Sequence, residues 1–198
     1  WVWSPNYASY PDPSQPGYEW NQIQNYYPGD DYVDWIGLSG YNWYDTPGQN
    51  NPWRDFNYLY DEVLTDLACR YAKPQIIAEI GSIEGNGTTL SKADWITDAY
   101  QRARNYPFLR GLVWFNDYAY ESSSTDFRVT TGTAREIEDN PSLSPPQVNP
   151  LPSGTSAWTN AYEAAIADPI FTSTLPSLAE ATPPHAICDQ LYLPLIQR

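Results

Sequence analysis

Apolar residues follow two rhythms along this chain. Four short runs are almost continuously apolar and close on small or polar residues. Trp1-Val2-Trp3 leads into Ser4-Pro5-Asn6, and Trp35-Ile36-Gly37-Leu38 into Ser39-Gly40-Tyr41-Asn42. Gln75-Ile76-Ile77-Ala78-Glu79-Ile80 ends in Gly81-Ser82, and Gly111-Leu112-Val113-Trp114-Phe115 in Asn116-Asp117. Runs of this length without alternation predict parallel strands covered on both faces.

The second rhythm is helical. Phe56, Leu59, Tyr60, Val63, Leu64, Leu67, Ala68 and Tyr71 make the stripe of a helix packing one face on a sheet. Trp95, Ile96, Ala99, Tyr100 and Ala103 make another, with Ser91 as N-cap and Asp94 at N3 in the manner of a capping box. Tyr18 to Tyr27 is read as a shorter helix ended by Pro28-Gly29. Strands alternating with helices define an α/β class with a parallel sheet.

The pattern breaks after about Asp139. Residues 139–157 are rich in Pro, Ser, Asn and Gly and read as a linker. Residues 158–198 form a tail holding a brief helix over Trp158, Ala161, Tyr162, Ala165 and Ile166, cut at Pro169. The apolar end, Leu191 to Ile196, is too short to span a bilayer. It resembles short terminal sequences of some exported bacterial proteins, and it equally suits a segment docked on the domain surface.

Composition narrows the function classes. A net charge of −14, with Lys73 and Lys92 the only lysines, disfavours nucleic acid and anionic membranes as partners. No run approaches the roughly 20 apolar residues of a membrane span, and Trp1-Val2-Trp3 is not the start of a signal peptide. The chain holds no methionine, so sequence is expected upstream of Trp1. Its 17 Tyr and 9 Trp suit an extracellular or secreted protein that handles sugars, because aromatic faces stack on pyranose rings without needing countercharge. No cofactor is implied. His185, the sole histidine, has no metal-binding company, Asp30-Asp31 reads as a turn, and Cys69 as an inert buried thiol.

Glu79 is the anomaly. A carboxylate on a buried strand is costly to desolvate unless partners or a task hold it. Two readings stand: an ion pair with Arg110 or Arg128, or a site shared with Tyr41 and Trp114 at the strand ends, where parallel α/β folds place their chemistry. A tyrosine and a tryptophan closing the flanking strands favour the second. Trp43, Tyr44 and Trp53 suit either sugar subsites or loop packing. Glu62 and Glu84 read as a solvated helix face and a surface loop.

These motifs carry a family resemblance. WVWSPN, YYPGDDYVDWIGLSGYNW, KPQIIAEIGS and LRGLVWFND with DFRV resemble, in order and spacing, strands five to eight of the (β/α)8 TIM barrel of glycoside hydrolase family 26. The resemblance covers residues 1–138 and implies the C-terminal half of a barrel. It implies an endo-β-1,4-mannanase-like enzyme that hydrolyses mannan-type polysaccharides by a retaining mechanism. It also implies a role for each matching residue: Glu79 as nucleophile, Tyr41 as the group orienting it, and Trp114 as the aromatic floor under the sugar. Trp43, Asn116 and Asn6 are the further substrate-binding candidates. The family's acid/base block, R-P-x-H-E on strand four, has no match here. Action on β-1,3-xylan or mixed-linkage β-glucan, or β-glycan binding without turnover, are the alternatives. No residue argues for self-association.

Overall fold

A computed structural model describes residues 1–11, 14–45, 50–86, 88–117, 126–130 and 155–172. Four strands, β1 (Val2–Trp3), β2 (Trp35–Asn42), β3 (Gln75–Ser82) and β4 (Leu109–Trp114), form one sheet in the order β1-β2-β3-β4, every pairing parallel. The sequential order follows from the chain geometry. Each parallel neighbour is reached by a crossover, and a helix is the usual crossover.

α1 (Phe56–Tyr71) joins β2 to β3, and α2 (Lys92–Ala103) joins β3 to β4. Both start on side-chain caps: Asp55 accepts the Tyr58 amide, and Ser91 accepts the Asp94 amide, as its capping-box spacing predicts. Their stripes meet the sheet as read. Phe56, Leu59, Tyr60, Leu64 and Leu67 from α1, with Trp95, Ile96 and Ala99 from α2, close over Ile36, Leu38, Ile77 and Ile80.

Three expectations are corrected. The segment between β1 and β2 is not a helix over 18–27; it is a series of turns followed by a single 3-10 turn, Ile23–Tyr26. Asn25 gives its amide to the Glu19 and Trp20 carbonyls, which satisfies the backbone without a helical ladder. The strands are not covered on both faces. Among the described residues helices cover one face, while Val2 and Val113 stand 55 % and 50 % exposed and Glu79 is exposed too. Finally, the helix expected in the tail belongs to the core. α3 (Ser156–Ile166), followed by α4 (Pro169–Thr172), seats Trp158 in the hydrophobic core and packs Ala161, Tyr162 and Ala165 against it. α3 ends at Ile166, before Pro169, as read, and Pro169 opens α4.

Cys69, half-buried on α1, is disulfide-bonded and not a free thiol. The second cysteine of the sequence, Cys188, lies outside the described residues, as do His185, Leu191 to Ile196 and most of the expected linker. Among the described residues no helix is long and apolar enough to cross a membrane.

Candidate functional site

The C-terminal ends of β2 and β3 bring Tyr41 and Glu79 together. Tyr41 pairs in register with Gly81, and Ser39 with Glu79, across a bulge at Leu38/Ser39. The Tyr41 ring therefore leans back along the strands, and its hydroxyl donates a hydrogen bond to Glu79 Oε2. Such diagonal neighbours lie within reach of a long side chain. Burial, and then the Glu79 carboxylate, hold the Tyr41 phenol well above its ordinary range, so it stays a donor at any physiological pH.

The backbone at Glu79 is held from beneath. The Tyr60 hydroxyl, on α1 and fully buried, lies 2.8 Å from the Gly40 carbonyl and 3.2 Å from that of Glu79, bracing β2 and β3 at the bulge. A Cβ at Gly40 would come within 2.9 Å of that hydroxyl and 3.0 Å of Tyr7, so only glycine lets the two tyrosines close in.

Glu79 itself is exposed, on the uncovered face of the sheet. Among the described residues no ion pair engages it; Arg128 is paired with Asp126. Among the described residues the structural ion-pair reading thus loses Arg128, and Glu79 keeps a neutral donor, Tyr41.

Around Tyr41 lies an aromatic nest. Its ring centroid is 5.5 Å from that of Trp43, 5.6 Å from Phe115 and 5.3 Å from Phe127. Trp43, half-buried, also meets Phe127 at 4.9 Å. The structure therefore brings Trp43 to Tyr41.

Trp114 is placed differently from its expected position under a sugar. Its ring is 8 % exposed, lies 5.9 Å from Trp95 on α2 and 6.0 Å from Tyr162 on α3, and donates Nε1–H to the Phe127 carbonyl at 2.7 Å. The reason is strand alternation: Val113 takes the uncovered face, so Trp114 turns to the helices. Phe115, one residue on, is the β4-end aromatic that meets Tyr41. Asn116 is likewise committed to structure. Its Oδ1 accepts the Val129 and Thr130 amides at 2.7 and 3.2 Å, and its Nδ2 lies 3.1 Å from the Thr130 hydroxyl. Asn6 is exposed at the end of β1, bridged to Ser39.

Glu84 is not a surface-loop acid. Its carboxylate accepts the Gly85 amide at 2.8 Å, the Lys92 amide at 2.9 Å and the Trp158 indole. It joins the loop after β3 to α2 and α3, and so is unavailable as a proton donor. Glu62 is exposed on α1, as read.

The sequence reading missed Phe127, Lys92 and Trp158. Lys92 sits at the first position of α2, where a lysine ordinarily faces water, and nothing in its neighbours signals burial. Phe127 lies in the DFRV motif, which marked a block without revealing where its ring would point.

No protein-family model matches the chain. Over 107 residues the chain is 38% identical to Endoglucanase H of Acetivibrio thermocellus, a match covering 54% of this chain and 11% of that protein. The match spans about a tenth of the length of this curated relative. Among solved structures it is similar to the catalytic domain of the Bacillus sp. JAMB-750 GH26 endo-β-1,4-mannanase. That match has 20% identity and a TM-score of 0.45, over 92% of this chain and 40% of that one. It is also similar to a GH128 (subgroup I) endo-β-1,3-glucanase from Amycolatopsis mediterranei in complex with laminaritriose. There the identity is 19% and the TM-score 0.38, over 67% and 45% of the two chains.

Proposed function

We propose that these residues form part of a retaining glycoside hydrolase acting on a β-linked polysaccharide, with Glu79 as nucleophile. The observation that carries this reading is the Tyr41–Glu79 hydrogen bond at the C-terminal edge of a parallel sheet. A Glu79 oxygen attacks C1 of the sugar as the C1–O bond to the leaving chain breaks. A second carboxylate, about 5 to 5.5 Å away in retaining enzymes, gives its proton to the leaving oxygen. Water then attacks C1, returns a proton to that second group and frees Glu79. We place this acid/base outside the described residues, since Glu84 is consumed by three donors and Glu62 lies on α1.

Tyr41 keeps one Glu79 oxygen occupied and aims the other, which is positioning without added charge. Trp43 and Phe115 line the same edge and suit the apolar face of a pyranose. The sheet is proposed to be part of a (β/α)8 barrel, which fits its sequential parallel order and its one uncovered face.

The substrate proposed from the motif resemblance is β-1,4-mannan. The likeness to an endoglucanase supports β-glucan as a second reading. Both polysaccharides belong in one assay, on the natural full-length protein and its Glu79→Ala variant. Loss of about 10⁴-fold or more in turnover, with polysaccharide still bound, is expected for a missing nucleophile. Near wild-type turnover in the variant would refute the assignment. Binding of either glycan by the unmodified protein without any product would replace the hydrolase reading with a binding one.

A further inference from the structure

Lys92 is a fully buried lysine whose ammonium group has no carboxylate within bonding distance among the described residues. Its Nζ donates instead to two backbone carbonyls, Asp126 at 2.8 Å and Arg128 at 2.7 Å. The Trp158 ring lies over it, 3.9 Å from Nζ to the ring centroid. Burying an ammonium this way is costly before its hydrogen bonds are counted, and a well-packed apolar side chain commonly does as well for stability. The arrangement therefore calls for a reason beyond holding the fold together.

The residue between the two clamped carbonyls supplies one. Phe127 is 0 % exposed, and its own backbone is fixed on both sides: its amide donates to the Asp117 carbonyl at 3.1 Å and its carbonyl accepts Trp114 Nε1. The flanking side chains close on each other, Arg128 binding both Asp126 oxygens at 2.8 to 2.9 Å. The Phe127 ring is thus set in place from all of its chain neighbours. It rests 5.3 Å from Tyr41, 4.9 Å from Trp43 and 5.8 Å from Phe115. On the far side Gly81 gives it room, since a Cβ there would meet Phe127 Cδ1 at 2.7 Å and Tyr41 Cδ1 at 3.3 Å.

We propose that Lys92 is a positioning residue for the Tyr41–Glu79 pair, acting through Phe127. Its ammonium clamps the carbonyls on either side of Phe127, the Phe127 ring backs the Tyr41 ring, and the Tyr41 hydroxyl aims Glu79. This deepens the assignment of Glu79 as nucleophile and rests on it. Lys92 touches no substrate in this scheme. Trp158 and Glu84 complete the device, one capping the ammonium and the other binding both the Lys92 amide and the Trp158 indole.

The test compares Lys92→Met, Lys92→Arg, Tyr41→Phe and the Lys92→Met/Tyr41→Phe double variant in the natural full-length protein, assayed on β-glucan and β-mannan. A misplaced reacting group costs on the order of 10²-fold, so Lys92→Met is expected to lower kcat about 10- to 100-fold with KM within about twofold. Lys92→Arg should recover most of that loss. In the Tyr41→Phe background, Lys92→Met should cost almost nothing more, because the hydroxyl it serves is gone. A purely structural lysine would give additive losses or a change in KM, and either result overturns the proposal. Hydrogen exchange gives a readout independent of turnover. The Phe127 and Arg128 amides should exchange faster in Lys92→Met than in wild type while α1 amides do not; unchanged exchange overturns the clamp. Should Glu79→Ala retain turnover, the nucleophile assignment has failed and the positioning role falls with it, whatever the exchange data show.

Discussion

Tyr41 and Glu79 sit on adjacent parallel strands, 38 residues apart in the chain, and are joined although their register partners are Gly81 and Ser39. The bulge beside Ser39 and the small size of Gly81 allow the Tyr41 ring to lean back onto the carboxylate. The donor is a neutral hydroxyl, so the pair adds no countercharge beside Glu79.

Tyr41→Phe removes this donor and leaves the ring in its nest. The expected outcome is a kcat about 10- to 100-fold lower with KM little changed, in line with lost positioning. Steady-state kinetics on β-glucan and β-mannan check it. Because burial and Glu79 raise the Tyr41 phenol, the wild-type hydroxyl keeps its proton through pH 10. Loss of activity below that pH then belongs to another group.

Gly81→Ala puts a methyl group 2.7 Å from Phe127 Cδ1 and 3.3 Å from Tyr41 Cδ1. Overpacking of this kind typically costs about 1 to 3 kcal/mol. Thermal unfolding should show that loss, and turnover should fall with it because the two rings that move are those behind Glu79. An unchanged melting temperature would mean the rings are not packed as described.

Lys92 makes stability depend on pH with a definite sign. Burial pushes its pKa down to about 7, Arg128 adds to the fall, and Asp126 and Glu84 oppose it. An unfolded lysine keeps its proton to about pH 10.4. Between the two values the unfolded chain binds more protons, so this group makes stability rise as pH increases from about 7 to about 10 and level off below 7. The melting temperature of wild type minus that of Lys92→Met should climb across that window. A flat difference would show that folding does not lower the Lys92 pKa.

Asp126→Ala removes the carboxylate that Arg128 binds in this pair; both side chains are nearly inaccessible, at 4 % and 6 %. Breaking such a pair from one side costs about 3 to 5 kcal/mol. Chemical denaturation should show a loss on that scale, larger than that of Asp98→Ala, whose i,i+4 pair with Arg102 is partly exposed and is worth at most about 1 kcal/mol.

Ser91→Ala removes the cap of α2, whose hydroxyl accepts the Asp94 amide at 3.1 Å. The expected cost is about 1 kcal/mol in unfolding free energy, read by the same denaturation. Since α2 begins with Lys92, this variant also tests how far the clamp depends on its helix.

What the sequence determined was local. Uninterrupted apolar runs placed β2, β3 and β4 to within a residue or two, because short apolar runs closed by small or polar residues mark strands of a parallel sheet. The stripes and caps at Asp55 and Ser91 placed α1 and α2, because a helix displays its period and its first turn in the chain itself. Glu79 stood out for the same reason: one acid in an apolar run is visible without coordinates. The turns over 18–27 were misread as helix because local side-chain bonds such as those of Asn25 satisfy the backbone without leaving a period.

Tertiary structure alone decided which way each side chain turned. Whether Trp114 or Phe115 meets Tyr41 depends on strand alternation and bulges, and a one-residue shift exchanges the two faces. Glu84 and Lys92 look like surface residues in the chain; Glu84 is half-buried and Lys92 buried where α3, more than sixty residues further on, brings Trp158 onto them. Burial is set by what arrives from elsewhere in the chain, and no local pattern records it.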